Sequence, residues 1–470
     1  MVETDQGQKE EDITAGLFKP VNPNDLPKHK YLIVSNAIAA AGEYKRLLSS
    51  ERVHEANEAL TIAYTLTDHI YKNIDPRKNI IFPQFRFDEE TTENGVLGLI
   101  IEPDKEYPTG GQAYFLLKKV DNLRGRQVYR DSQHFRSNRE FNLEYILADL
   151  PIPNEGNSYL WKEWIRGPNL ADLFQTLDNG ILRGDEEQKR LLKELESKLV
   201  DIAIKRVLYW QKNAPDLIDI PKDPEKVIET YQTNFMNVFH AFSKLTDITY
   251  SEEERSKIRE ALSNLDWKFL NPETIVRNVA ATYRNMVIFT HKVNTTYPKF
   301  IELFTENGDK RKVNRWALEE KLYFVDTPNK YSHILEDLWE MDLFSVGKVK
   351  KNAVDYAVKS YEEAGLKLNE FERLFMGIYR AYRKAHLVLD DFGPRALERF
   401  NAGLIEHEEY ERKQSKYRNH INYLFGEGQK LLDQISEFLP SNQKTQFKVI
   451  DSALRRLSNY NTIVYTPRLL

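Results

Sequence analysis

Tyr159-Leu160-Trp161-Lys162-Glu163-Trp164-Ile165-Arg166-Gly167-Pro168-Asn169-Leu170 is the stretch on which the reading of this chain turns. Its first half is an apolar run rich in β-formers. Gly167-Pro168 punctuates it, and residues 170–177 take up a helical pattern. Strand texture precedes this point and helical texture follows it, so the passage predicts the joint between two differently built parts of the chain.

Working toward the N-terminus, residues 80–87, 96–101 and 112–120 are short runs of β-forming residues. Asn94-Gly95 and Gly110-Gly111 supply the turns, which predicts a meander of strands. A polar loop and then a helix over about 137–150 are predicted next, closed by Pro151 and Pro153. Further upstream, residues 29–48 and 51–74 read as two helices. In the second, Val53, Ala56, Leu60, Ala63, Ile70 and Ile74 recur at roughly helical spacing before Asp75-Pro76. Residues 1–78 are therefore predicted as a polar, acidic tail followed by a helical hairpin.

Toward the C-terminus, residues 191–213, 224–245, 252–265 and 349–364 have helical period, and 369–439 alternate apolar and charged residues as long amphipathic helices. Only an island of short apolar runs between Asn285 and Asp326 interrupts them. The predicted class is α+β in three parts: the tail and hairpin of 1–78, a strand-rich part over 79–166, and a mainly helical part over 167–470.

Composition narrows the function. At 470 residues the chain exceeds the size of a single core. With 41% hydrophobic and 12% aromatic residues it is built to fold rather than to stay disordered. A net charge of -5 supplies no overall basic field, so nucleic acid is not an expected partner. The absence of cysteine removes disulfides, thiolate zinc sites and cysteine nucleophiles together, and favours the cytoplasm. Residues 1–12 lack a signal-peptide pattern, and the apolar stretch 31–41 is far short of the roughly 20 residues that span a bilayer, so no membrane role is expected. None of the ten histidines forms a His-Glu-x-x-His pair, and no serine sits in Gly-x-Ser-x-Gly. Neither zinc nor haem is expected.

The order of parts, a small strand-rich lobe with one helix joined by a short strand to a large helical lobe, resembles the protein-kinase-like phosphotransferases. Over about residues 80–400 the chain resembles their aminoglycoside phosphotransferase branch. The resemblance implies a kinase-like two-lobed fold with a small antiparallel-sheet N-lobe and a large helical C-lobe, with ATP and Mg2+ as cofactors. It makes Tyr114-Phe115-Leu116-Leu117-Lys118-Lys119-Val120 the strand that offers a lysine to the nucleotide's phosphates. Strand alternation puts Lys118 and Lys119 on opposite faces, and Lys118 is the expected ligand, although both also fit solvated strand-end lysines. A helix acid, Glu140 or Glu144, is expected to pair with that lysine. Residues 159–170 resemble the family's hinge, in which the segment of Glu163 and Ile165 offers backbone hydrogen bonds to adenine.

The family's catalytic segment has an aspartate base, an asparagine metal ligand five residues later, and a short apolar strand. Here Val276-Arg277-Asn278-Val279-Ala280-Ala281-Thr282-Tyr283-Arg284-Asn285-Met286-Val287-Ile288 has the spacing and the asparagine, Asn285. Ala280 stands in the aspartate's place, and Asn278 in that of the usual histidine. A second metal-binding aspartate is implied at Asp326, after the apolar run 321–325. Residues 336–343 resemble the acidic helix start that braces the catalytic loop, and 374–389 a late helix of the family. Asp391-Phe392-Gly393 spells the kinase metal-binding tripeptide but follows an amphipathic helix, and is read as a helix ending in glycine. The basic and aromatic stretches 379–386 and 410–423 are read as core aromatics beside solvated charge.

The expectation is a degenerate kinase-like protein that holds a nucleotide through Lys118, Asn285 and Asp326 and serves as a binding or regulatory module. The alternatives are an active small-molecule phosphotransferase with an atypical base, and a helical interaction scaffold unrelated to kinases.

Overall fold

The structure, a computed structural model, describes residues 80–81, 95–101 and 112–463, apart from 137, 139–140, 145, 152–155, 164, 166–167, 184, 280–282, 289–304, 307–308, 314, 326, 329, 344–351 and 402–404. The predicted helical hairpin over 29–74 lies outside the described residues. The chain is α+β with a helical majority and divides into two compact units. Unit 1 comprises Met1–Gly167, Val287–Thr295 and Glu320–Val325; unit 2 comprises Pro168–Met286, Thr296–Glu319 and Asp326–Leu470.

Unit 1 is built on a five-stranded antiparallel sheet of β1 (Ile80–Ile81), β2 (Gly95–Ile101), β3 (Gln112–Asp121), β4 (Ile146–Pro151) and β5 (Asn157–Glu163), in the order β1-β2-β3-β5-β4. Helix α1 (Asn122–Phe135) follows β3 directly. Asp121 ends the strand and caps the helix, its carboxylate accepting the Arg124 N–H at 2.8 Å. Val128 of α1 packs with Val120, Ile146 and Leu160 from three strands. At Gly125 the helix lies so close to the sheet that a Cβ would meet Ser158 and stand 2.6 Å from an Asp149 carboxylate oxygen.

This arrangement corrects the predicted helix over 137–150. The helix lies at Asn122–Phe135, where a polar loop was expected, and Ile146–Pro151 is a strand. The buried face of α1 consists of Gly125, Gln127, Val128, Asp131, Ser132 and Phe135, so it carries no apolar stripe for a periodicity argument to find. Residues from Ile146 on instead form an edge strand with a bulge between Ile146 and Ala148, and an edge tolerates Pro151.

In unit 2, helices α2 (Leu170–Arg183), α3 (Glu186–Asn213), α4 (Pro224–Leu245) and α5 (Glu252–Ser263) run in succession. The last three start where the sequence supplies caps: Asp185 and Asp223 accept backbone N–H groups, and Ser251 with Glu254 forms a capping box. Strand β6 (Ile275–Arg277) and a 3-10 turn over Tyr283–Asn285 lead into the predicted island, which holds β7 (Met286–Ile288), β8 (Thr305–Glu306), β9 (Asp309–Val313), helix α6 (Arg315–Lys321) and β10 (Leu322–Phe324); β11 (Tyr331–His333) comes after it, and β7 from Val287 on and β10 belong to unit 1. These strands pair as β6 with β11, β7 with β10 and β8 with β9.

The chain ends in α7 (Glu336–Asp342), α8 (Ala353–Glu363), α9 (Glu370–Leu387), α10 (Gly393–Asn401), α11 (His407–Ile435) and α12 (Lys444–Leu457). Helix α9 is the hub, packing against α4, α7 and α11, with Phe375 and Tyr379 in edge-on or tilted contact with Phe235, and Tyr379 edge-on to Tyr231. The helix end predicted at Gly393 is not there. Residues Val388–Phe392 make a π-helical turn that runs into α10, and Gly393 itself has helical dihedrals. Glycine permits a left-handed stop but does not impose one.

Candidate functional site

The segment expected to carry catalysis is anchored at its start in unit 2. Antiparallel pairing of β6 with β11 sets Arg277 opposite Tyr331, and the Asn278 N–H continues the ladder to the Lys330 carbonyl at 3.1 Å. The Asn278 side chain then donates to the Ser332 hydroxyl at 3.0 Å, and the Val279 N–H donates to Oδ2 of Asp337 at 2.9 Å. All four side chains are buried. A buried carboxylate on the first turn of α7 thus holds the backbone at Val279, one residue before position 280. At the other end Tyr283 is fully buried edge-on against Phe174 of α2, and Asn285, half-buried, leads into β7.

Helix α7 does not present a solvated acidic face. Glu336 accepts from the Tyr231 hydroxyl at 2.7 Å and pairs with Lys330 at 2.8 Å and Arg380 at 3.4 Å. Glu340 lies 2.5 Å from Arg380 and 2.6 Å from Lys384. Asp342 accepts the Ala353 and Val354 N–H groups and so caps α8. Burial alone pushes both glutamates up, but their cations outweigh it: Glu336 is held below the usual carboxylate range and Glu340 at about 2. Beside this network His333 bonds Glu372 at 2.6 Å while its Nδ1 accepts the Leu335 N–H, which ties β11 to α9.

Unit 1 contains a buried ion pair of its own, Lys162 of β5 with Glu144 at 2.9 Å, their side chains 6% and 3% exposed. Glu144 belongs to an irregular segment that runs beside β10. Its N–H donates to the Phe324 carbonyl at 3.1 Å, the Phe324 N–H donates to the Asn142 carbonyl at 2.9 Å, and the Phe141 and Phe324 rings stack at 4.8 Å. The pair is thereby anchored to the strand whose sequence continues, two residues on, into Asp326. Ile165 packs with Val287 of β7, Tyr323 of β10 and Val325 just after it, so the segment that follows β5 shares a small apolar cluster with those strands.

Most of the lysine–acid pair expected from sequence lies outside the described residues. Lys118 stands in β3 opposite Gly95 and Leu160, with its side chain outside the described residues, and Glu140 is outside them altogether. Glu144 lies on no helix and pairs with Lys162, a residue that sequence reasoning quoted but did not select. The available signal was parity: Lys162 shares its strand face with Leu160, an ordinary core position, so a lysine there had to find a buried partner. Glu163 stands in β5 opposite Phe115. Ala280 and Asp326 are outside the described residues, which contain no group of three or more His, Asp or Glu that could hold a metal ion. Asn285 and Asp326 are nevertheless oxygen donors of the kind Mg2+ takes when water and phosphate complete its shell.

No protein-family model matches the chain, and no curated protein matches it in sequence. Among the described residues no helix is long and apolar enough to cross a membrane.

Proposed function

We propose that this chain is a catalytically degenerate relative of the kinase-like phosphotransferases, one that holds ATP and Mg2+ and works as a binding or regulatory module. The observation that carries this reading is the braced segment before Asn285, in which Asp337 takes the Val279 N–H at 2.9 Å beside a position filled by alanine. Alanine neither accepts a proton nor orients a hydroxyl, so the brace serves a segment without its general base. Supporting it are the antiparallel order β1-β2-β3-β5-β4 with one helix between β3 and β4, and the pairing of β7, which follows Asn285 in sequence, with β10. In this reading Lys162, ion-paired to Glu144, joins Lys118 as a candidate phosphate ligand, and Asn285 and Asp326 hold the metal.

Calorimetric titration of the full chain with ATP and Mg2+ tests the proposal, together with Asp326→Ala and an assay for release or transfer of the γ-phosphate. Saturable binding that Asp326→Ala weakens at least tenfold, a change of about 1.4 kcal/mol, without turnover, is the expected result. No binding by the intact protein overturns the nucleotide reading, and turnover overturns degeneracy.

A further inference from the structure

The segment that leaves α12 is fastened differently from the helix itself. Helix α12 packs on α5 and buries Phe447, Ile450, Ala453, Leu454 and Leu457. Tyr250, in the link between α4 and α5, donates its hydroxyl to the Ala453 carbonyl at 2.6 Å, and the Arg456 guanidinium reaches Glu254 at 2.7 Å and the Thr249 carbonyl at 2.6 Å. From Asn459 on that burial stops: Asn459, Asn461 and Thr462 are exposed, and Tyr460 and Ile463 are half-buried.

One carboxylate gathers the bonds of this segment. Asp247, itself exposed, accepts the Asn461 N–H at 2.8 Å, the Asn461 side-chain amide at 3.0 Å and the Thr462 N–H at 3.3 Å. An antiparallel bridge joins its neighbour Thr246 to Ile463. The Asn461 N–H, before any other group, holds the Asp247 carboxyl below the usual carboxylate range. Hydrogen bonds on a carboxylate open to water exchange readily for bonds to water.

Beneath the segment two core rings meet. The Tyr460 ring stands edge-on to Phe242 of α4 at 6.3 Å and to Phe425 of α11 at 6.1 Å, and those two rings contact each other at 5.2 Å. Phe242 and Phe425 are 0% and 2% exposed. The Tyr460 hydroxyl donates to the side-chain carbonyl of Asn422 on α11 at 2.7 Å, again at the surface.

We infer that residues 459–463 form a strap that opens and closes while the helices beneath it stay folded, with Asp247 as its latch and Tyr460 as the cover of the Phe242–Phe425 contact. A segment opens locally when few apolar contacts and water-exposed bonds hold it. Here one ring and one carboxylate do most of the holding, whereas α12 is fixed by five buried side chains. Opening uncovers an aromatic seam that the closed strap keeps from water. The inference concerns unit 2 alone and stands whether or not the chain binds ATP.

The test is hydrogen exchange on the full chain, read by mass spectrometry on fragments that separate 459–463 from α12, together with binding of the apolar dye anilinonaphthalene sulfonate. It compares the wild type with Asp247→Ala and with Asp433→Ala, which removes another exposed carboxylate, the partner of Arg455 on α12. In the wild type the strap amides are expected to exchange about tenfold or more faster than those of α12, since opening melts no helix. Asp247→Ala should raise the strap rate further and increase dye binding several-fold, with the α12 rate and the urea midpoint unchanged, and Asp433→Ala should do neither. Exchange of strap and α12 at one rate overturns independent opening. A strap rate that Asp247→Ala leaves unchanged overturns the latch, and faster exchange without added dye binding overturns the cover.

Discussion

Oδ2 of Asp337 accepts the Val279 N–H at 2.9 Å with both residues buried, so a single carboxylate on α7 positions the backbone beside Ala280. Asp337→Ala leaves that N–H without its acceptor and costs about 1–3 kcal/mol. Asp337→Asn, whose side-chain carbonyl still accepts, costs less. Urea unfolding of both variants measures the difference, and equal losses would show that the hydrogen bond is not what the carboxylate contributes.

The ion pair of Lys162 with Glu144 calls for a double-mutant cycle. Removing either partner strands a buried charge, at about 3–5 kcal/mol, whereas replacing both by apolar residues of similar size is close to neutral. Lys162→Met and Glu144→Leu should each lower the unfolding midpoint, and the double variant should recover most of the loss. Additive effects would mean that the two charges are not coupled.

Two glycines on α11, two positions apart, should respond oppositely to alanine. A Cβ at Gly428 would stand 2.7 Å from the Tyr382 ring, while one at Gly426 meets nothing within 4 Å. Gly428→Ala is expected to destabilise by about 1–3 kcal/mol through overpacking. Gly426→Ala is expected to stabilise by up to about 1 kcal/mol through helix propensity. Thermal melts of the two variants should move in opposite directions, and a shared direction would contradict the packing of α11 on α9.

Acid should weaken the fold in two steps. Burial first, and then nearby cations, hold His386 and His420 at about 4, below the usual histidine value of about 6.5. Between those values the unfolded chain binds protons that the folded chain does not, so stability falls as pH drops from about 6.5 toward 4. Glu340, held at about 2 because Arg380 and Lys384 outweigh its burial, contributes stability that is complete above the ordinary glutamate value and disappears as pH falls through about 2. Urea midpoints at pH 7, 5.5 and 4 should decline, and His420→Gln should flatten the decline; a midpoint constant over that range would refute the assignment.

Much of the architecture was legible locally. Helix α4 begins and ends where periodicity over 224–245 predicted, because its apolar spacing is written within a few residues at a time. Strands β2, β3 and β5 were legible for the same reason. Helix α1 was not, since its buried face is polar and accommodates the sheet through Gly125 rather than through an apolar stripe. In the candidate site, the spacing of Asn278, Ala280 and Asn285 and the acidic start of α7 could be read from the chain, but the partners of Lys162 and Asp337 could not.

Local order thus determined by itself the helical period of the C-terminal two thirds, the change of texture at Gly167-Pro168, the lack of thiol chemistry and the alanine at position 280. Only the tertiary structure decided that Lys162 meets Glu144, that Asp337 grips Val279, and that Glu340 lies between Arg380 and Lys384. The reason is physical: periodicity states that a face is to be buried, whereas the partner of a buried charge is set by packing between segments that the sequence holds far apart.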